Sequence, residues 1–431
     1  MSALQLVLPR PLPPLRPVGV GVPGRPTCAN LPARPFDLDR APTRTPVRAR
    51  GAARRLVAGV GWLALGTVLA LTAALFLTHP GRVALKTVLV LPELLPDAPV
   101  HPLLWVTPPP RHEEHGFESI VGHVDFDLYL PAGEGRHGTI VFYTGAFGLL
   151  SDPSFVQAAE ALARSGAVVM VPESAALRNG EILPGEVDAL REALAYLRAR
   201  PEVDPKRIGI VAFSAGGSIV LLAAQDEVVR DQVAFLNIFG SYYDARELLL
   251  AVASHEIDVD GIRRPWHPSD VSVYTFAKQV VMSLPDDQDR DILTRAYLER
   301  RPEAPDELDR LSPDGRLVRE LFSRPSRDRA AAILEALPES SRDRLAAISP
   351  SEGVSRLKAK LYLMHGRDDG HIPVTHARDL AQATPPGTLA RYSEFDMFVH
   401  IMPNPDVDTP TLARDLLKLG HHAWLVGQEY L

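Results

Sequence analysis

Residues 207–217 constrain the fold of this chain more than any other segment. The stretch reads Arg-Ile-Gly-Ile-Val-Ala-Phe-Ser-Ala-Gly-Gly, in which β-branched residues lead directly into small residues around Ser214. This pattern predicts a strand, a sharp turn at Ser214 and a helix from Ser218, because small residues two before and two after the turn let strand and helix pack closely. A serine on such a turn is typical of a nucleophile, and the alternative is a Gly/Ser-rich turn without chemistry.

Apolar runs alternate with helical patterns from about residue 122 onwards. We predict strands and helices in turn, with strands at 124–130, 139–143, 167–171, 207–213, 233–239, 359–364 and 390–395 and helices at about 152–165, 184–199, 373–384 and 410–426. This alternation predicts an α/β fold whose mostly parallel sheet carries helices on both faces, with 124–130 as an antiparallel edge strand. Between about 245 and 350 the alternation gives way to charged helical segments, which indicates a helical lid. One of these helices is predicted to begin after Ser326 as its N-cap and to run to Leu337.

A second polar cluster follows the predicted strand 359–364. The segment 365–373 reads His-Gly-Arg-Asp-Asp-Gly-His-Ile-Pro, so Asp368 and Asp369 both stand just beyond a strand end. A carboxylate in this position can hold an imidazole in one tautomer and stabilise the imidazolium that forms during nucleophilic catalysis. The residues by themselves leave both aspartates as candidates.

Together, segments 139–148, 207–217 and 365–373, with Ile219 and His400, resemble the α/β-hydrolase superfamily and its dienelactone-hydrolase-like branch. The resemblance covers about residues 115–245 and 346–431. It implies the α/β-hydrolase fold and a triad in the chain order Ser, acid, His. True dienelactone hydrolases usually carry a Cys nucleophile, whereas Ser214 makes this chain look more like carboxylesterases, lipases and acyl-peptide hydrolases.

The resemblance also implies the roles of individual residues. In the pattern His-Gly-x-x-Asp-x-x-Ile-Pro the acid stands four residues after the histidine, which is Asp369. The oxyanion hole is expected to consist of two backbone N–H groups, one from Ala215 after the nucleophile and one from Ala146, which follows a glycine as the donor does in relatives. The usual His-Gly opening of that loop is Thr144-Gly145 here.

The base must be a histidine that follows the acid in the chain, and the candidates are His371, His376, His400, His421 and His422. We predict His400, because it follows the last predicted strand and a short loop from which an imidazole can reach the nucleophile. The first two candidates lie too close to the acid loop or in the next helix. The last two lie in the terminal helix, where we expect them to be exposed.

Residues 56–78 contain no charged side chain and are dominated by Leu, Ala, Val and Gly. About 20 such residues cross a bilayer, so we predict a transmembrane helix at 55–79, followed by a juxtamembrane segment and linker at 80–114. Residues 1–55 hold ten Arg and two Asp, which predicts a cytoplasmic N-terminus and a catalytic domain at 115–431 on the outer side. The alternatives are a buried helix or a cleaved signal peptide, for which the run is too long.

Residues 1–54 carry 11 of the 40 prolines, and this composition predicts a disordered tail. Its Gly19, Gly21 and Gly24 match a dinucleotide-binding fingerprint, but no strand precedes them and nearby prolines oppose a helix start, so we predict no nucleotide site. The single cysteine, Cys28, excludes an intramolecular disulfide. Because the chain after residue 55 is more acidic than the net charge of −7, nucleic acid is not an expected partner.

The residues thus predict a membrane-anchored serine hydrolase that cleaves carboxylic esters and acts on a small ester or acyl substrate. No cofactor is implied. His112 and His115 are the weak metal candidates, which we interpret as part of a hydrated linker. The alternatives are a peptidase or thioesterase with the same triad, and an inactive scaffold on the same fold. Trp266 and Tyr274 of the lid are candidates for pocket residues, with core packing as the alternative.

Overall fold

The computed structural model describes residues 48–95, 98–302 and 305–431, with side chains from residue 60 onwards except at 61 and 305. Most of the predicted disordered tail and the match at Gly19 to Gly24 lie outside the described residues. The described residues divide into two units, 48–66 and 67–431, and the second contains the eight-stranded sheet.

The second unit is built on an eight-stranded sheet with helices on both faces. The described residues as a whole contain the helices α1 Arg48–Leu77, α2 His79–Val90, α3 Pro102–Val106, α4 Pro153–Arg164, α5 Ala175–Arg178, α6 Glu186–Ala199, α7 Ser214–Ala223, α8 Glu227–Arg230, α9 Ala245–Ser254, α10 Asp270–Val281, α11 Asp287–Leu293, α12 Pro305–Leu308, α13 Pro313–Leu321, α14 Arg327–Ala336, α15 Glu339–Ala347, α16 Val374–Ala383 and α17 Thr409–Tyr430.

The strands are β1 Arg111–Ser119, β2 Gly122–Leu130, β3 His137–Tyr143, β4 Val168–Ser174, β5 Val203–Phe213, β6 Phe235–Phe239, β7 Glu256–Val259, β8 Ile262–Pro265, β9 Lys360–Gly366, β10 Leu389–Phe395, β11 Phe398–Val399 and β12 Met402–Pro403. The main sheet has the order β1-β2-β4-β3-β5-β6-β9-β10. The pairs β1/β2 and β2/β4 are antiparallel and all the others are parallel.

The parallel strands are apolar on both sides because helices cover both faces of the sheet. Residues of β5 show this: Ile208, Ile210 and Ala212 pack in the core shared with α6 and α7, whereas Val211 belongs to the core beside α4 and α17. The predicted strands and helices of the sheet lie where the patterns placed them, within a few residues at their ends. The prediction of 124–130 as an edge strand is wrong, because β2 pairs with β4 on one side and with β1, which is the edge, on the other. Ser326 caps α14 as predicted, since its hydroxyl accepts the N–H of Arg329.

The region 245–350, which we call the cap, contains α9 to α15 and the hairpin β7–β8. The cap is attached to the loop after β9 by hydrogen bonds rather than by a strand of the main sheet. The N–H of Ser269 donates to the carbonyl of Gly370, and the Ser272 hydroxyl donates to the carbonyl of His371. The sequence predicted the helices of this region but not the hairpin.

Two segments before the sheet differ from their predicted form. Residues 112–115, interpreted as linker, lie in β1, because their backbone pairs with β2 over its whole length. The segment 83–91, interpreted as leaving the membrane, lies mostly in α2, which packs on α17: Val83 is buried, and a Cβ on Gly427 would lie 2.8 Å from a Val83 methyl.

Within the described residues, no helix alone has the length and apolar composition needed to cross a bilayer. Trp62–Leu77 together with His79–Leu94 meets that test as a pair, with a bend of 83° between the two parts. The predicted single transmembrane helix is therefore not supported, and attachment to a membrane stays a prediction.

Candidate active site

Ser214 lies at the junction of β5 and α7, on the turn that the sequence predicted. Its φ of +54° falls in the left-handed region, which is strained for a residue with a side chain. Two glycines let the surrounding backbone approach. A Cβ on Gly216 would lie 2.0 Å from the carbonyl oxygen of Thr144, and a Cβ on Gly145 would lie 2.7 Å from Cβ of Ser214. The small residues around the serine are therefore required by backbone packing.

Asp369 follows β9 and is buried, whereas its neighbour Asp368 is exposed. One carboxylate oxygen, Oδ2, lies 2.7 Å from Nδ1 of His400. The other, Oδ1, accepts the N–H groups of His371 and Ile372 at 2.7 and 3.0 Å. Both carboxylate oxygens thus have hydrogen-bond partners, which fixes the orientation of the carboxylate.

The electrostatic surroundings keep Asp369 ionised. Burial by itself raises the pKa of its carboxyl, but attraction to His400 and hydrogen bonds from His365 and His400 outweigh burial and hold the pKa well below its usual range. A carboxylate in this state stabilises an imidazolium at His400 when that ring accepts a proton.

His365 and Trp266 also contact Asp369 and help to hold it in place. Nε2 of His365 lies 2.8 Å from the carbonyl of Ile372, so this nitrogen carries the proton, and it also lies 3.3 Å from Oδ2 of Asp369. The indole N–H of Trp266 donates to the carbonyl of Asp369 at 3.0 Å. The sequence motif contained His365 without assigning it a role, and Trp266 contacts the acid loop rather than serving only in core packing.

His400 lies in the short turn between β11 and β12, with a φ of +57°. Its ring stacks on that of His371, with 4.5 Å between the centroids and 7° between the planes. A Cβ on Gly240 would lie 3.1 Å from Nδ1 of His400, so a side chain at this position would crowd the ring. In the sequence analysis, His371 was excluded as the base because it lies too close to the acid. Its stacking on His400 was not predicted, since a pattern of residues does not show which rings stack.

Ser214 and His400 both line one space of about 340 Å³, which we call the catalytic cavity. Its other walls include Ala146, Ala215 and His371, and the cap contributes Val271, Ser272, Thr275 and Phe276 from α10. Among the described residues, no hydrogen bond joins the Ser214 hydroxyl to the His400 ring. Such contacts are often long in a site without substrate and tighten when one binds.

The backbone around Ser214 contains two N–H groups that could donate to an oxyanion. Ala215 lies in the first turn of α7, where backbone N–H groups have no partner within the helix. In the loop 144–148, the N–H of Phe147 donates to Leu177 and that of Gly148 donates to Gly145. No acceptor within the described part of the chain takes the N–H of Ala146, so this group is available to a ligand.

The remaining histidine candidates lie away from the catalytic cavity. His376 is buried in α16, where burial lowers its pKa to about 3 and its Nδ1 accepts the N–H of Tyr243. His421 is exposed, as predicted for both histidines of the terminal helix. For His422 that prediction is wrong: its ring is buried and hydrogen-bonded to Asn237 and Ser393, because this side of α17 faces the sheet.

Among the residues that the structure describes, two groups of side chains place ligand atoms within 4.8 Å of one another and could hold a metal ion. One consists of Asp369, His371 and His400, in which Asp369 and His400 are already hydrogen-bonded to each other. The other consists of His112, Glu114 and Asp127 on the β1–β2 hairpin, where His112 and Asp127 are 3.0 Å apart. Neither group by itself indicates a metal centre, since both have ordinary ion-pair geometry.

A scan against protein-family models found no matching family, and a search of curated proteins found no match. Solved structures do match. An acylaminoacyl peptidase has a TM-score of 0.42 and 14% identity, with 69% of this chain and 39% of that chain covered. A 2,6-dihydroxy-pseudo-oxynicotine hydrolase has a TM-score of 0.42 and 14% identity, with 74% and 68% covered. The esterase domain of a Rhodothermus marinus protein has a TM-score of 0.39 and 16% identity, with 74% and 99% covered. The chain thus spans about two fifths of the length of the acylaminoacyl peptidase.

The second unit itself shows how the sheet positions the three candidate residues. An antiparallel start of the sheet is followed by parallel strands, and Ser214 stands on the turn after β5. Asp369 follows β9 and His400 follows β10, in the order that the resemblance implied. The mostly parallel sheet with helices on both faces fits an α/β-hydrolase fold.

Proposed function

We propose that this protein is a serine hydrolase that cleaves carboxylic esters. The observation that carries the proposal is the 2.7 Å contact between Nδ1 of His400 and the buried Asp369 carboxylate, in a cavity that Ser214 also lines. With Nδ1 protonated and donating to Asp369, Nε2 of His400 is the unprotonated nitrogen that can accept a proton from a serine.

In the proposed reaction, Ser214 Oγ attacks the ester carbonyl carbon while Nε2 of His400 takes the hydroxyl proton. The carbonyl oxygen becomes an oxyanion, which the N–H groups of Ala146 and Ala215 stabilise. The C–O bond to the alcohol then breaks, and His400 returns the proton to the departing alkoxide. Water, deprotonated by His400, attacks the acyl-enzyme and releases the acid with Ser214 restored. Asp369 remains ionised throughout and holds the ring in one tautomer.

A fluorophosphonate probe tests this proposal because it reacts with activated serines. We expect the folded full chain to be labelled, with labelling lost in Ser214→Ala and kept in Ser218→Ala, one helical turn further along α7. A folded wild-type chain that stays unlabelled would favour the inactive scaffold. A panel of p-nitrophenyl esters, acyl-CoA thioesters and peptide amides then separates esterase from thioesterase and peptidase activity.

We also propose that α1 attaches the protein to a membrane, with the N-terminus in the cytoplasm and the catalytic domain outside. Support comes from its apolar side chains, since Trp62, Leu63, Leu71 and Leu77 are 65 to 75% exposed. Carbonate extraction tests attachment: we expect the full chain to stay with the membrane and the double variant Leu69→Lys, Leu71→Lys to be released. Protease added to intact cells tests the orientation, since an outer catalytic domain is digested and an inner one is protected.

A further inference from the structure

A second cavity, of about 200 Å³, lies on the face of the sheet opposite α6 and α7. Val90 of α2 and Ala423 and Val426 of α17 form its outer wall, and Phe142 and Phe213 of the sheet form its floor. We call this space the α2 cavity. Ile401, the residue after His400, is the one residue that also lines the catalytic cavity in the described part of the chain.

The lining of the α2 cavity contains no charged side chain. Its polar residues are Thr87, Asn237, His422 and Tyr430, and all four already have partners. The Tyr430 hydroxyl is paired with Ser165. The Thr87 hydroxyl donates to the carbonyl of Val83, and the His422 ring lies between Asn237 and Ser393. Because nothing in the cavity can compensate a buried charge, the part of a ligand that enters must be apolar.

The size and position of the α2 cavity further restrict the kinds of ligand that can bind there. An apolar cavity of roughly 150 Å³ already admits benzene, so this space is large enough for one hydrocarbon chain but not for two. Leu94, at its rim, is 36% exposed. The neighbouring α3 contacts α2 and exposes Trp105 and Val106 to 74% and 64%. The rim is therefore continuous with an exposed apolar surface, as expected where a chain enters from apolar surroundings.

We propose that the α2 cavity binds a single aliphatic chain of an amphiphile, separately from the catalytic cavity. The chain lies between α2 and the sheet with its polar head outside the cavity. A free fatty acid and a single-chain phospholipid share this chemistry. The assignment rests on the lining of the cavity and is independent of whether Ser214 is a nucleophile.

Photo-crosslinking tests the proposal by location. The full chain in phospholipid nanodiscs is irradiated with decanoic acid that carries a diazirine near its methyl end, digested with trypsin and analysed by mass spectrometry. We expect labels in peptides 87–111 and 419–431, which contain the α2 and α17 walls. We also expect excess unlabelled decanoic acid to reduce them at least tenfold. A lysophospholipid with the same diazirine chain distinguishes the sources, since the preferred one labels these peptides at the lower concentration.

Two variants on α17 provide matched controls. Ala423→Phe places a ring in the α2 cavity and should reduce labelling at least tenfold, whereas Ala413→Phe, on the exposed side of the helix, should not. Val271→Trp fills part of the catalytic cavity and should leave labelling unchanged. Labels confined to peptides 264–278 and 368–378, or labelling of 419–431 that unlabelled decanoic acid does not reduce, would overturn the proposal. The competition experiment uses the wild-type chain and stands even if Ala423→Phe does not fold.

Discussion

The catalytic cavity and the α2 cavity share Ile401, yet the first is lined by polar groups that can react and the second mostly by apolar side chains. The catalytic cavity lies where strands end, so turns there present backbone N–H groups, a hydroxyl and imidazoles. The α2 cavity lies on a face of the sheet, where strand backbones are paired and only side chains project, and those side chains are almost all apolar. Position relative to the strands therefore decides whether a cavity can perform chemistry or can only bind.

The backbone differs between the two cavities as well. Phe147, Ser214 and His400 all have positive φ and all line the catalytic cavity. Residues of β3, β5, β6, α2 and α17 that line the α2 cavity have regular strand or helix conformations. Strain is concentrated where side chains must be directed at a reacting atom, and the surrounding packing maintains it. The comparison predicts that changes in one cavity leave the other unaffected.

The largest effect is expected from Ser214→Ala. Removing the nucleophile should lower kcat for p-nitrophenyl acetate by roughly 10⁴- to 10⁶-fold, since no acyl-enzyme can form. Crosslinking of the diazirine fatty acid to peptide 419–431 should be unchanged. Loss of both signals in a folded variant would show that the two cavities are coupled.

Asp369→Asn should lower kcat by about 10⁴-fold, because an amide cannot hold His400 in the tautomer that accepts the serine proton. Steady-state kinetics on the same ester measure the effect. Asp368→Asn is the matched control: its side chain is exposed, and turnover should stay within about twofold of wild type. Equal losses in the two variants would contradict the assignment of the acid.

Gly216→Ala should lower kcat by about 100-fold, because its Cβ would lie 2.0 Å from the Thr144 carbonyl and must displace the loop that carries Ala146. Gly420→Ala in α17 is the control for the same chemical change, since its Cβ would approach nothing closer than 4.0 Å. A Gly216→Ala variant with wild-type kinetics would show that the loop is not positioned by this contact.

The buried His422 beside the α2 cavity predicts a pH effect on stability. Burial lowers its pKa to about 3 in the folded chain, below the value of about 6.5 expected when unfolded, so the unfolded chain binds the proton more readily. The contribution of neutral His422 to the free energy of unfolding is fully present above about pH 6.5 and is lost as the pH decreases towards 3. The free energy of unfolding should therefore decrease by about 2 kcal/mol between pH 7 and pH 5.

Denaturant unfolding at pH 7 and pH 5 measures this effect. His422→Gln should reduce the pH dependence, and the exposed His421→Gln should not. If both variants retain the wild-type dependence, proton binding by His422 is not its cause. Ester turnover per folded molecule at pH 7 should be little changed in either variant, because both residues lie outside the catalytic cavity.

The smallest effect concerns the ring stacked on His400. His371→Ala removes a contact that is worth about 0.5 to 1.5 kcal/mol for aromatic pairs, so kcat should fall by roughly two- to tenfold. His371→Phe keeps a ring in place and should restore most of the loss. A variant without the ring that matches wild type at every substrate concentration would leave the stack without a role in turnover.

Much of the fold could be predicted from local patterns. Three features depend on residues within a few positions of one another. They are the β5–α7 turn, the strands of the parallel sheet and the N-terminal capping of α14 by Ser326. The hairpin strand β1 was missed because its charged residues 112–115 show no apolar alternation, and their pairing with β2 is made by the backbone. The place of α2 was missed because an apolar helix that packs on α17 has the same composition as one near a membrane.

The sequence by itself determined the strand–turn–helix around Ser214, the order of strands and helices, and a pair of aspartates after β9. The family resemblance, and not the spacing, chose between those two aspartates. Only the tertiary structure decided which of them is buried, that the ring of His400 lies beside it, that His371 stacks on that ring and that His422 faces the sheet. The physical reason is range: local conformation follows from neighbouring residues, whereas the meeting of side chains 31 residues apart depends on strand order and register across the whole sheet.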